Sequence, residues 1–302
     1  MGKTEVPATN LAGRMWMKRA LVGLALVLGL TGIFYGLRGR GLRQGTVWRV
    51  KAVLDAPAVK AFDRGDYSSV IFLHHSVGRN LIHQGRVREA FAGAGVDFWD
   101  HDYNPIGLTR PDGTSAGYAY SIPGDNTDPD GLARIFSQPQ LPLPLNALSG
   151  LLQHEVIILK SCFPISDILS DQQLLDLEAD YRTVRDAMAH HPEKILILMT
   201  PPPLNPAATD SEAAARAREL ASWLQSDGFL QGYANVFVFD FYGLLAEADP
   251  EAPDHNMLKE SYRQGGDSHP NRLANETIGP IFVKAVLGII ESHRSAGPVQ
   301  AY

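Results

Sequence analysis

The chain has 302 residues, 45% of them hydrophobic, and a formal net charge of −6. That length carries one large domain with a substantial core plus an appendage, and the single cysteine, Cys162, excludes an internal disulfide. Residues 1–51 hold nine Lys and Arg against one acid, while the rest hold 18 against 32; a body this acidic repels phosphate backbones, which argues against nucleic acid as a partner.

In chain order, residues 1–19 read as a short cytoplasmic segment. Residues 20–37 form an uncharged apolar run, at the lower length limit for a membrane-spanning helix and longer than a usual signal-peptide core. Arg38-Gly39-Arg40 follows in place of a small-residue cleavage site. This predicts an uncleaved signal anchor that holds the protein at a membrane, with the domain exported to a periplasmic or extracellular space. Arg14, Lys18 and Arg19 precede the run and Arg38, Arg40 and Arg43 follow it, so the positive-inside rule does not choose the orientation. A hydrophobic helix docked on the domain is the competing interpretation. Residues 38–66 read as a basic juxtamembrane linker with one short helix at most, 67–293 as the folded domain, and 294–302 as a tail.

Five candidate strands, at 70–73, 96–99, 156–159, 195–199 and 236–239, most of them short continuous apolar runs, predict buried parallel strands with helices between several of them. Ser170-Asp171-Gln172-Gln173 and Thr209-Asp210-Ser211-Glu212 are capping-box patterns that open two of those helices. A last helix carries Ile278, Ile281, Phe282, Ala285, Val286 and Ile289, and Pro280 predicts a kink or a late start. Residues 104–145, rich in Pro, Gly and Asp, read as a long loop over one end of the sheet. Ligands of such sheets bind at the carboxyl ends of the strands, where Ser76, Asn104, Ser161 and Pro201 should gather.

Two segments carry chemistry. Ser76 follows the first strand within His74-His75-Ser76, and Asp267-Ser268-His269-Pro270-Asn271 precedes the last helix. A serine hydroxyl becomes a nucleophile only with a base in hydrogen-bond reach, and a carboxylate then fixes the histidine tautomer. Asp267 and His269 are two apart, so in extended chain both side chains face the same way. The same residues also read as a plain loop before a helix. His74, His75, His101 and Asp102 are metal-ligand types, but neighbours on a strand face opposite sides, so no metal is expected. Cys162, just past the third strand, is a rival nucleophile that His269 could serve; a lone cysteine there is more often buried and inert.

Over residues 67–293 the chain resembles the SGNH, or GDSL-type, hydrolase superfamily. His74-His75-Ser76 stands where that family has its Gly-Asp-Ser block, and His269-Pro270-Asn271 matches its histidine block. Asn104-Pro105-Ile106-Gly107 falls at the family's glycine block, and residues 161–167 fall at its Gly-x-Asn-Asp block but hold no asparagine. The acid is two residues before the histidine rather than three, with Gly266 in the usual place. The resemblance implies a three-layer α/β/α fold with a mainly parallel, five-stranded, flavodoxin-like sheet, here preceded by one transmembrane helix. It also implies a serine esterase or deacylase without a cofactor, acting on O-acyl esters that include small-molecule and O-acetyl carbohydrate esters. In that scheme Ser76 attacks, His269 is the base, and Asp267 orients it, with Asp240 as the alternative acid. The backbone N–H groups of Ser76 and Gly107 would bind the oxyanion, helped from near Ser161 or Ser166. The departures from the family blocks leave a further expectation, a degenerate fold that binds glycan or a partner at the membrane; transacylation, with a carbohydrate hydroxyl in place of water, is a variant of the esterase chemistry that the sequence does not separate from hydrolysis.

Overall fold

The structure, a computed structural model, describes residues 40–296. The chain divides into two units, Met1–Val47 and Trp48–Tyr302; residues 40–47 open helix α1 (Arg40–Lys60), and all later described residues belong to the second unit. The anchor at 20–37 lies outside the described residues. The segment expected to be a linker is instead largely α1, a helix of 21 residues with Pro57 inside it. Ala52, Ala56 and Val59 on α1 are buried; their i, i+4, i+7 spacing is one helical face, and the basic, Gly-containing composition around it hid that stripe.

The domain continues with β1 (Ser69–Leu73), α2 (Ser76–Gln84), α3 (Val87–Gly93), β2 (Asp97–His101) and β3 (Leu108–Thr109). Next come α4 (Pro129–Phe136), α5 (Ala147–Leu151), β4 (Val156–Lys160), α6 (Asp171–Met188) and β5 (Ile195–Met199). The last elements are α7 (Ser211–Leu224), α8 (Asp227–Leu230), β6 (Val236–Phe239), α9 (Phe241–Leu245) and α10 (Arg272–Ala296).

The sheet has six strands in the order β3-β2-β1-β4-β5-β6. Five are parallel, and β3 runs antiparallel to β2. The expected five-stranded sheet therefore gains a two-residue edge strand, too short to leave a period in the sequence. The five parallel strands, counted among themselves, follow the 2-1-3-4-5 order of flavodoxin-like sheets, whose ligand crevice lies where the winding reverses. Here that point lies between β1 and β4. Leu73 pairs with Leu159, so Ser76 and Ser161 both come just past the same edge of the sheet.

All residues of β1, β4 and β5 are buried, because helices cover both faces. Ile71 and Leu73 join a core with residues of α1, α4, α6 and α7, whereas Val70 and Phe72 join a second core with α2, α3 and α10. That alternation is the two-residue period of a strand. On the second face, α2 and α10 meet through glycines. A Cβ on Gly279 would stand 2.5 Å from the carbonyl oxygen of Gly85, and one on Gly85 would stand 2.9 Å from the Gly279 Cα.

Two further expectations change. Residues 104–145 are not one loop, since they contain β3, a 3₁₀ turn at Pro123–Asp125 and α4. Asp128 before Pro129 is a helix-start pattern, and Leu132, Ile135 and Phe136 are the buried face that follows. The last helix begins at Arg272 and continues through Pro280. Among the described residues it is the one helix long and apolar enough to cross a membrane; 44% of its most apolar window is buried, with Ile278, Phe282 and Val286 in the domain core.

Candidate active site

Ser76 is the first residue of α2, and His75 before it is extended, with φ −125° and ψ −152°. The first-turn N–H groups of a helix have no acceptor within the helix, and the His75 side chain does not cap them. The serine hydroxyl therefore sits beside free backbone donors at the positive end of a helix dipole.

The opposite side of the site is built from the chain before α10. Asn271 caps that helix: its Oδ1 accepts from the Ala274 N–H at 3.0 Å. Its Nδ2 donates to the carbonyls of Ser261 and Arg263, each at 3.0 Å. Ser268 is buried, and its Oγ accepts from the Asn205 N–H at 3.0 Å. The Asn205 amide donates to the carbonyls of Gly265 at 2.9 Å and Asp267 at 3.2 Å. With Ser268 drawn inward, its two neighbours turn outward together.

They meet each other and the serine. Asp267 Oδ1 accepts from His269 Nδ1 at 2.7 Å and from the His269 backbone N–H at 3.1 Å. His269 Nε2 lies 2.8 Å from Ser76 Oγ. A proton held on Nδ1 by the carboxylate leaves Nε2 as the acceptor for the serine proton. Burial alone would raise the Asp267 carboxyl, but the hydrogen bonds from the His269 ring and backbone outweigh it and hold the group below the usual carboxylate range. Both side chains are reached by solvent, Asp267 at 55% and His269 at 29% of full exposure. The Phe163 ring packs against the His269 ring at 4.9 Å between centroids and an angle of 77°.

Behind the serine lies a second set of contacts. Arg79 donates to Asp102 at 2.9 Å and lies over the Tyr103 ring at 5.5 Å, and that ring stacks on His75 at 3.8 Å. Burial works to raise the Asp102 carboxyl, but the Arg79 guanidinium and other favourable contacts bring it below its ordinary value. Burial pushes the His74 imidazole down to about 4, and its Nδ1 donates to the His75 carbonyl at 2.8 Å. His101 accepts at Nε2 from the Tyr120 N–H at 3.0 Å. The residues of metal-ligand type thus serve separate partners, and among the described residues no group of three could hold an ion.

The other expected site residues lie elsewhere in purpose. The Gly107 N–H donates to the Tyr103 carbonyl at 2.8 Å, in a turn whose φ of +76° and close approach to Tyr118 O suit glycine alone. It closes that turn instead of facing the serine as a free donor. Ser161 is buried, and its Oγ is bonded to the Tyr181 hydroxyl at 3.1 Å. Ser166 Oγ donates to Pro202 O at 2.8 Å. The oxyanion role expected of Gly107 and Ser161 therefore has no free group behind it, apart from the Ser161 backbone. Asp240 caps α9 through the Gly243 N–H at 2.9 Å and accepts from Thr200 Oγ1 at 3.2 Å, so it is not the acid. The Asn104 amide is engaged on both sides by the backbone of Ile122, at 2.8 and 2.9 Å.

Asn205 and Phe163 were not singled out in the sequence, and Asn271 was singled out only as part of the histidine block. Asn205 precedes a proline, which is a turn signal, and Asn271 stands three residues before Ala274 in an N-cap pattern. Phe163 left no signal. Lys160, at the end of β4, is fully buried; its Nζ donates to Ser161 O at 2.8 Å, and burial pushes the ammonium down to about 8.

No protein-family model matches the chain, and no curated protein does. Among solved structures, a Bacteroides fragilis protein assigned as an acylhydrolase is 12% identical, with a TM-score of 0.41 over 73% of this chain and 87% of that one. At that identity and score, Ser76, His269 and Asp267 stand on their own geometry.

Proposed function

We propose that this protein is a serine esterase or deacylase of SGNH type. The observation that carries the proposal is the chain of two hydrogen bonds, Ser76 Oγ to His269 Nε2 at 2.8 Å and His269 Nδ1 to Asp267 Oδ1 at 2.7 Å. Ser76 Oγ forms a bond to the ester carbonyl carbon while its proton passes to His269 Nε2. Asp267 stabilises the resulting imidazolium. The tetrahedral oxyanion is met by the uncapped N–H groups at the start of α2, and each such donor is worth about 10²–10³ in rate. The C–O bond then breaks, the leaving oxygen takes the proton from Nε2, and an alcohol departs. Water repeats the sequence on the acyl-enzyme, releasing the carboxylic acid and returning the proton to Ser76. A carbohydrate hydroxyl in place of water would make the same machinery a transacylase. The apolar run at residues 20–37 supports a membrane-anchored protein with this domain exported.

A second interpretation, an SGNH-type fold that binds acylated glycan without turnover, is favoured by one observation. The Gly107 N–H and the Ser161 hydroxyl are bonded within the fold, which leaves the oxyanion fewer donors.

Labelling of the full chain with a fluorophosphonate tests the proposal. The wild type should label, and Ser76→Ala and His269→Ala should not. A folded wild type that stays unlabelled refutes esterase chemistry and favours the binding protein.

A further inference from the structure

One buried histidine stands beside the nucleophile with no part in the proton transfer. His74 follows β1 directly, is fully buried, and precedes Ser76 by two residues. Its ring is closely held. Phe72 packs on it at 4.9 Å between centroids. It also lies against the first turn of α2 at Gly78, where a Cβ would stand 2.4 Å from the His74 Cβ and 2.6 Å from its Cγ. Only glycine admits the histidine there.

The two ring nitrogens face different partners. Nε2 lies 3.3 Å from Asp100 Oδ2, and the other oxygen of that carboxylate accepts from Arg88. Arg88 also donates to the carbonyls of Phe98 and Arg110, each at 2.7 Å. The far end of this series of contacts is therefore tied to β2 and to the chain just past β3. On the near side, Nδ1 donates to the His75 carbonyl at 2.8 Å. That carbonyl belongs to the peptide bond joining His75 to Ser76. The same oxygen accepts from the Arg79 N–H at 3.0 Å, so both of its lone pairs are used. A trans peptide is planar, and its C=O and N–H point in opposite directions. Holding the His75 oxygen from two sides thus aims the Ser76 N–H out of the start of α2. Among the described residues that N–H has no acceptor. It is the oxyanion donor carried by the nucleophile's own residue.

Resting on the esterase proposal, we infer that His74 is a positioning residue that locks the His75–Ser76 peptide so that the Ser76 N–H meets the oxyanion. Asp100 and Arg88 hold the ring from behind. His74 itself stays buried and acts only through the peptide. It stands at the glycine of the Gly-Asp-Ser block that the sequence resembles, a residue with no side chain, so the lock is this chain's own.

Two amides separate the two ring contacts. An asparagine nitrogen is attached to the γ carbon, as Nδ1 is, and a glutamine nitrogen to the δ carbon, as Nε2 is. His74→Asn therefore keeps a donor for the His75 carbonyl, whereas His74→Gln keeps the one toward Asp100. The full chain is assayed as wild type and as both variants on a chromogenic acetate, with Tm recorded for each. Losing an oxyanion donor outright costs about 10²–10³ in rate; with the Arg79 bond still in place, kcat of His74→Gln should fall about tenfold below that of His74→Asn. KM should be nearly equal in the two. Phenylboronic acid, whose serine adduct puts an oxygen where the oxyanion forms, should bind His74→Gln more weakly by a similar factor. A histidine that only filled the core would lower Tm in both variants and leave their kcat alike. Equal kcat in the two folded variants, or a difference confined to KM, overturns the inference alone. If His74→Gln does not fold, the smaller His74→Ala takes its place with the same expected order. A wild type that cleaves no acetate and takes no fluorophosphonate overturns the esterase proposal and this inference with it.

Discussion

Replacing Asp267 by Asn removes a charge and little else. The carboxylate oxygen that binds the His269 ring at 2.7 Å also takes the His269 backbone N–H at 3.1 Å, and an amide oxygen can keep both bonds. The ring therefore stays in place with its proton on Nδ1. What disappears is the attraction between the carboxylate and the imidazolium that forms when Ser76 gives up its proton. Two unit charges 4 Å apart attract by about 1 kcal/mol in water and by about 4 kcal/mol at an effective dielectric constant near 20. With Asp267 at 55% exposure and His269 at 29%, the pair belongs toward the watery end. The barrier should rise by about 1–2 kcal/mol, which lowers kcat roughly 5- to 30-fold. The same change in a buried triad costs about 10⁴. Steady-state kcat on a chromogenic acetate, with circular dichroism to confirm the fold, measures it. A loss as complete as that of Ser76→Ala would refute the screening argument, and no loss would remove Asp267 from the mechanism.

Two other perturbations probe the frame. Phe282 is fully buried and packs on Phe72 at 5.6 Å and Phe239 at 5.3 Å between ring centroids; Phe282→Ala should cost about 3–5 kcal/mol in urea unfolding, and a shift in midpoint too small to measure would mean that this face is not packed as described. Burial pushes His101 down to about 4 and His154 down to about 3, whereas an unfolded histidine titrates near ~6.5. Between those values the unfolded chain binds more protons, so stability is full above about 6.5 and falls as the pH drops toward about 4, by at most roughly 2.7 kcal/mol per pH unit for the two together. Tm measured at stepped pH across that range should decline throughout, and a flat or rising Tm would contradict it.

The sequence was most legible where one physical rule dominates. Strands buried on both faces are mostly apolar, so four of the five parallel strands showed as plain runs, whereas β2, with Asp97, Asp100 and His101, begins and ends later than its expected 96–99. The two-residue alternation put Asp267 and His269 on one side, and it did so because Ser268 turns inward. That inward turn is enforced by Asn205, in the loop after β5, whose amide holds the chain around Asp267; contacts so distant along the chain leave no local pattern. The oxyanion donors were the least legible. Whether the Gly107 N–H is free depends on a tight turn back to Tyr103, and whether the Ser161 hydroxyl is free depends on Tyr181. Neither is a matter of residue type. Helix α1 was masked by basic and glycine residues, and α4 by a proline that marks a helix start as readily as a loop.

The glycine contact between α2 and α10 acts as a fulcrum. Gly85 and Gly279 touch at one end of α2, and Ser76 stands at the other, about 13 Å away at 1.5 Å per residue. A tilt of about 5° at the fulcrum would carry the hydroxyl by about 1 Å, a displacement that can change a rate by about a hundredfold. The residues of this fulcrum stay out of the reaction, yet they set the gap across which the proton jumps. Bulk added there would be felt first as lost alignment between Ser76 and His269, and only later as lost stability.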